Sequence, residues 1–408
     1  MNRVTAPILL ALLALAAPEA HARIKLATLP ERERVEIQLD NGRFTLVEEE
    51  RIVPLLKATN RIDFAWSNTK IDKNSIQFRP IAIRRDGKFV PIREIGGQAE
   101  VSVINVSYPP SENAVVWEIH AREACAVQVR VSYLVANLTR SFAYRALANK
   151  NETHLLLKKY IQLRNYSGED FGTAGVWAGF GPKFRKRVEQ KTDIKMLLDR
   201  FKSVPIKKTF RFDWYAHGRL NPDKPFASRV LMHYVLLNSE KRGLGKFPLQ
   251  PGKVRIFIQD GRGGEVFLGE DWAALTPLDG EMKLFLGDAR DVVCSRTVKK
   301  NLRHRVRGNL FDQEMLLKYE VENFKDKPVT LDILEQLNRL AREYGAAPHG
   351  DVEWELGPET SKEIRITYPE GGARPVLHVN LPARPKDSDQ KVEKQTFLFH
   401  ITLKNIWN

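Results

Sequence analysis

Short runs of alternating apolar and polar residues, cut by turns rich in Gly, Asn and Asp, recur from residue 35 onward. They constrain this chain more than any other feature. Val35-Glu36-Ile37-Gln38-Leu39 alternates, Asp40-Asn41-Gly42 turns, and Phe44-Thr45-Leu46-Val47 runs on. Alternation puts every second side chain on one sheet face, and an Asn-Gly turn joins two such runs as a hairpin. The pattern repeats at Ile81-Ala82-Ile83, Asp86-Gly87 and Phe89-Val90-Pro91-Ile92, and again at Val101-Ser102-Val103-Ile104-Asn105-Val106 and Ala114-Val115-Val116-Trp117-Glu118-Ile119. Strands are also expected at 125–135, 154–163, 210–215, 229–237, 316–321 and 395–403. Val254-Arg255-Ile256-Phe257-Ile258, Asp260-Gly261 and Glu265-Val266-Phe267-Leu268 form the clearest hairpin.

Two stretches depart from this period. Residues 184–201 carry apolar side chains at 184, 188, 194, 197, 198 and 201, partly helical in spacing. In 331–344, Leu334, Leu337, Ala341 and Tyr344 share a helical face, with Gly345 as a stop. The expected fold is therefore mostly β, a multi-domain β-sandwich-like architecture with one or two short helical insertions near 184–201 and 331–344. A chain of 408 residues exceeds one comfortable core. The expected division is an N-terminal β-sandwich-like domain at 23–122 and a β-rich domain at 123–408, with a charged loop at 384–394.

The first residues point to export. Asn2 and Arg3 precede an uncharged apolar run at 6–17, Pro18 and Glu19 end it, and Ala20-His21-Ala22 follows. That is the layout of a cleaved signal peptide spanning 1–22. The run falls short of the roughly 20 residues a membrane span needs. Arg23 rather than Cys follows the expected cut, which argues against a lipid anchor and for a soluble periplasmic or secreted form. Net charge is +15. An exported basic protein meets anionic lipid headgroups, acidic glycans and wall polymers, whereas export removes nucleic acid as a partner.

Side chains suited to chemistry are scattered. His120, His154, His217, His233, His304, His349, His378 and His400 include no pair at metal-binding spacing. No Gly-x-Ser-x-Gly elbow and no cofactor motif occurs. Cys125 follows His120 by an odd step, so on one strand the two side chains would diverge. Cys125 and Cys294 could close a long disulfide loop, worth about 5 kcal/mol on chain-entropy grounds, or remain separate thiols. Gly261-Arg262-Gly263-Gly264 lacks the Lys-Ser/Thr ending of a phosphate loop and reads as a turn. Glu169-Asp170 and Glu270-Asp271 each follow a glycine. One carboxylate from each segment could act as acid and base in a hydrolase of envelope glycan or peptide. Two basic clusters stand out: Lys183, Arg185, Lys186, Arg187 and Lys191, then Arg296, Lys299, Lys300, Arg303, His304, Arg305 and Arg307. The second is the candidate polyanion contact, through Arg296, Lys299, Lys300, Arg303, Arg305 and Arg307.

Several landmarks follow in one order. Val131-Ser132-Tyr133-Leu134-Val135 precedes Asn165-Tyr166-Ser167-Gly168-Glu169-Asp170-Phe171. Pro251-Gly252-Lys253-Val254-Arg255-Ile256-Phe257 leads to Phe267-Leu268-Gly269-Glu270-Asp271 and Thr276-Pro277. Leu284-Phe285-Leu286-Gly287-Asp288-Ala289-Arg290-Asp291-Val292 closes the series. Together they resemble the domain-of-unknown-function 4139 family, which includes mucoidy-inhibitor-like exported bacterial proteins. The resemblance spans about 123–337 and implies a β-rich domain without assigned catalytic residues. The family's Trp-x-Pro is replaced here by Arg140 and Phe142, which makes this chain a divergent member. The expected role is a non-enzymatic envelope module that contacts a partner or an anionic polymer.

Overall fold

The computed structural model describes residues 26–39, 42–94, 100–217, 226–346, 348, 352–368, 372–385 and 392–407. The expected signal peptide at 1–22 lies outside them. The protein is mostly β and multi-domain, with four sheets and one short α-helix among the described residues. It divides into two compact units. The first comprises the described residues up to Arg140 together with Leu163–Asp193, and the second Ser141–Gln162 with Ile194–Asn408. Residues 122 and 123, the expected boundary, fall inside the first unit. The reason is the strand Cys125–Val135, which pairs along its whole length with Thr45–Leu55.

The first unit is a sandwich. Its four-stranded and seven-stranded sheets turn alternate side chains into one core. Phe64, Trp117 and Ile119 from one sheet meet Val127, Val129, Val131 and Tyr133 from the other. The ring centroids of Phe78 and Trp117 lie 4.8 Å apart, and those of Phe64 and Tyr133 5.8 Å, so aromatic contacts tie the layers together. The expected hairpins form. Arg34–Gln38 pairs antiparallel with Thr45–Leu55, although Asp40 and Asn41 of its turn lie outside the described residues. Gln77–Arg85 pairs with Lys88–Pro91 across Asp86 (φ 48°) and Gly87 (φ 79°), the two positive φ values of a type I′ turn.

The second unit carries a five-stranded sheet and a nine-stranded sheet. The strands Glu353–Leu356 and Arg365–Thr367 stand at opposite edges of the larger sheet. The link 357–364 between them reaches at most about 30 Å, whereas nine flat strands span roughly 38 Å. The sheet must therefore curl, and Trp354 beside one edge meets Tyr368 beside the other at 5.3 Å. Curling encloses a core of Phe212, Tyr319, Leu331, Leu377, Phe399 and Ile401, onto which the helix Leu337–Glu343 packs Leu337, Leu340 and Ala341.

Two expectations are corrected. Residues 184–201 are not helical. Phe184–Arg187 pairs antiparallel with Thr173–Trp177, and Thr192–Pro205 lies beside His154–Asn165. Ile194, Met196 and Leu198 share a period of two, and pairing with a neighbouring strand decides between that period and the helical one. In 331–344 only Leu337–Glu343 is helical, since Val329–Leu334 forms a strand between Lys207–Asp213 and Val376–Leu381.

Candidate functional site

The strand Glu281–Arg307 divides the predicted polyanion contact. Alternation turns Arg296 inward, where it is 2% exposed. Its Nε lies 3.2 Å from the buried Glu335 carboxylate and its Nη1 3.3 Å from Glu343. Burial opposes the charge on Arg296, but Glu335, Tyr215, Tyr319 and Glu343 together outweigh it and hold the guanidinium above its ordinary pKa. Arg296 is thus a core residue and leaves the predicted surface. Lys300 is neutralised by Glu314 at 2.6 Å, which also receives His304 and His400 at 2.9 Å each. Lys299, Arg305 and Arg307 are exposed without an ion pair among the described residues. Arg303 donates to the Tyr344 carbonyl and lies over the Phe311 ring. In the first basic cluster, Lys183 pairs with Glu36 and Arg187 with Glu189.

Lys300, then His304 and His400, hold the Glu314 carboxyl at about 2. A depressed carboxylate pKa stabilises the fold above its unfolded value, near 4.3, and that stabilisation is lost as pH falls through about 2. Glu314→Gln is therefore expected to lower the thermal midpoint at pH 7. The gap to wild type should narrow below about pH 4 and close near pH 2. A gap independent of pH would refute this linkage.

The other candidate residues have local roles. Cys125 is half-buried in the first unit and Cys294 wholly buried in the second, and both are free thiols. Burial pushes both thiols up, which makes them poor nucleophiles at neutral pH. Glu169 pairs with Arg32 at 2.5 Å, and Arg32 also holds the buried Glu49 at 2.8 Å. Asp170 accepts from the Gly172 N–H. Glu270 pairs with Lys253 and Arg255, and Asp271 accepts from the Trp272 and Phe285 N–H groups. Gly261-Arg262-Gly263-Gly264 is a hairpin turn, as expected, closed by N–H bonds from Arg262 and Gly264 to Asp260. Among the described residues no group of three or more His, Cys, Asp and Glu side chains is arranged to hold a metal ion.

A site that the sequence did not single out lies on the nine-stranded sheet. The strand Lys207–Asp213 turns Phe210 and Phe212 into the core, so Lys207, Thr209 and Arg211 share its outer face. Parallel pairing brings Asp332 beside Arg211, and antiparallel pairing brings His233 beside Thr209. Two adjoining clefts result, of about 220 Å³ and 160 Å³, sharing Lys207, Thr209 and Asp332. Their walls hold six cations, Lys207, Lys208, Arg211, Lys283, Lys325 and Lys327, against three carboxylates, Glu152, Glu281 and Asp332.

The pairing within this groove leaves positive charge over. Lys208 and Tyr234 hydrogen-bond Glu152 at 2.7 and 2.6 Å. Burial resists ionisation of Glu152, but these bonds prevail and hold its carboxyl below the usual range. Lys325 is paired with Asp291 at 2.6 Å, and Lys283 lies 3.7 Å from Glu281. Asp332 turns to His378, whose Nδ1 is 2.7 Å from Oδ1, while His378 Nε2 is 2.8 Å from Thr367 Oγ1. The order hydroxyl, imidazole, carboxylate resembles a nucleophile relay. Neither Thr367 nor His378 lines either cleft, however, and the row serves as a ladder across three strands. With Asp332 engaged there, Lys207, Arg211 and Lys327 have no ion pair among the described residues. Burial, reinforced by Arg211, pushes His233 below its ordinary value and disfavours its protonation. The groove can hold an anion by charge and by the Thr209 and Thr330 hydroxyls.

The chain matches no known protein-family profile and no curated protein. Alternation in 207–213 does place Lys207, Thr209 and Arg211 on one face. Their meeting with Lys325 and Lys327 depends on a parallel pairing between strands more than a hundred residues apart, which no local pattern announces.

Proposed function

We propose that this protein is an exported, non-enzymatic module of the cell envelope, related to the domain-of-unknown-function 4139 family, that holds an anionic polymer or acidic partner in the groove of its second unit. The observation that carries the proposal is the trio Lys207, Arg211 and Lys327, three cations lining two joined clefts with no ion pair among the described residues. Export to the periplasm or beyond supplies acidic glycans and wall polymers as ligands. No helix among the described residues is long and apolar enough to cross a membrane. A hydrolase working through Glu169, Asp170, Glu270 or Asp271 is the less supported reading, because each carboxylate is committed to a neighbour. Such an enzyme would instead present two of them about 5 to 9.5 Å apart across a cleft.

The test is binding to heparin as a probe polyanion, with neutral dextran as control. Affinity should fall steeply as salt rises. Lys207→Ala with Arg211→Ala and Lys327→Ala should weaken binding at low salt by about tenfold or more. Affinity indifferent to salt, or unchanged in the triple variant, would remove the groove reading.

A further inference from the structure

A second surface lies at the end of the hairpin formed by Glu281–Arg307 and Leu310–Asn323. The hairpin turns at Gly308, whose φ is 57°, and Arg307 pairs with Leu310. The strand Gln395–Trp407 runs beside the returning arm and sets Trp407 opposite Leu310. Three large apolar side chains are left in solvent there: Leu302 is 46% exposed, Val306 53% and Trp407 48%. Residues 299–309 contain no acid. Lys299, Arg305 and Arg307 have no ion pair among the described residues, and Arg303 stands exposed between them.

The acids nearest in register are already matched. Glu314, opposite Leu302, is held by Lys300, His304 and His400. Asp312, opposite His304, is held by Lys404. The hairpin end therefore offers apolar surface and unneutralised cations together. Polyanion binding accounts for the cations but leaves Leu302, Val306 and Trp407 without a purpose. A neutral apolar partner accounts for those three and leaves the arginines unused. A lipid surface with anionic headgroups suits both, since aromatic and aliphatic side chains settle at the acyl boundary while Arg and Lys stay at headgroup level.

We propose that the hairpin end, residues 299–309 with Trp407, docks on an anionic lipid surface. This goes beyond the groove reading and uses none of its residues. The experiment is cosedimentation of the full chain with vesicles of phosphatidylcholine alone and of phosphatidylcholine mixed with phosphatidylglycerol. Binding is expected only with the mixed vesicles, weakening as salt rises. Removing each tip cation should weaken partitioning about fivefold, so Arg305→Gln with Arg307→Gln loses about 25-fold. Leu302→Ser with Val306→Ser keeps every charge and should still lose tenfold or more. These sites are exposed, so an unchanged urea midpoint would show that each variant folds. The groove triple variant should bind vesicles like wild type, and the serine variant should bind heparin like wild type. No binding to mixed vesicles, or full binding by the serine variant, overturns the proposal. Loss of vesicle binding in the groove variant would reassign the lipid contact to the groove.

Discussion

Arg296→Met is expected to destabilise the second unit by about 3–5 kcal/mol, because it strands buried Glu335 without a cation, and the carboxyl, already held above its ordinary pKa by burial, must then take up a proton or stay charged and unpaired. Glu335 is 0% exposed and, beside its ion pair with Arg296, accepts a hydrogen bond from the Tyr319 hydroxyl at 2.7 Å. Trp214 and Tyr215 lie with their ring centroids 4.8 and 5.7 Å from the guanidinium carbon, so the cation is enclosed by aromatic faces and carboxylates. With a denaturant dependence near 3 kcal/mol per molar urea, the urea midpoint should drop by about 1–2 M. Pairing Arg296→Met with Glu335→Gln should recover at least half of the loss. It removes both charges and keeps an acceptor for Tyr319. The network is also incompletely bonded: Arg296 Nε and Nη2, Glu335 Oε2 and Glu343 Oε1 have no hydrogen-bond partner in the described protein. Such a network is costly when halved and cheap when removed whole. If the double variant is no more stable than the single one, the penalty does not come from the stranded carboxylate.

The sequence already contained the sign that Arg296 is a core residue. Val292, Cys294, Arg296 and Val298 alternate with Val293, Ser295 and Thr297, so the arginine shares the face of a buried valine and a buried cysteine. Leu331, Ile333 and Glu335 do the same for its partner. A charge on an apolar face on each of two runs announces a buried pair, whereas clustering with Lys299 and Lys300 suggests a surface. Period outweighs proximity here, because a strand sends neighbours to opposite faces. The same period made Cys125–Val135 readable in full and the hairpin through Asp86-Gly87 readable near its turn, though its first strand begins at Gln77 and its second ends at Pro91. It was misread at 184–201, where apolar spacing fits two periods at once and only the neighbouring strand selects one. The groove was illegible for a related reason: a parallel register between distant strands assembles it, and loops of any sequence can connect such strands.

Gly168→Ala should be among the most damaging single-atom additions to the first unit, costing about 3 kcal/mol or more. Gly168 sits at φ +96°, where a Cβ would lie 2.0 Å from the Asn68 carbonyl oxygen and 2.7 Å from its carbon. Both are backbone atoms, so no side-chain rotation relieves the overlap. Asn68 cannot retreat freely, since its own φ of 60° is already unusual and Lys70 donates to the Ser167 carbonyl at 3.1 Å. On the other side the loop is anchored by Asn165, which is 0% exposed. It donates to the carbonyls of Glu169 and Glu189 and accepts from Ser167. Moving Gly168 away from Asn68 would break those buried bonds and pull Glu169 off Arg32. Gly87→Ala is the control. Gly87 has φ +79° with nothing within 4 Å of its Cβ position, so alanine there carries only the left-handed backbone penalty, about 1–2 kcal/mol. Urea unfolding of both variants separates the two contributions. The excess cost of Gly168→Ala over Gly87→Ala measures the close approach to Asn68, and equal costs would mean that the loop can open without breaking its anchors.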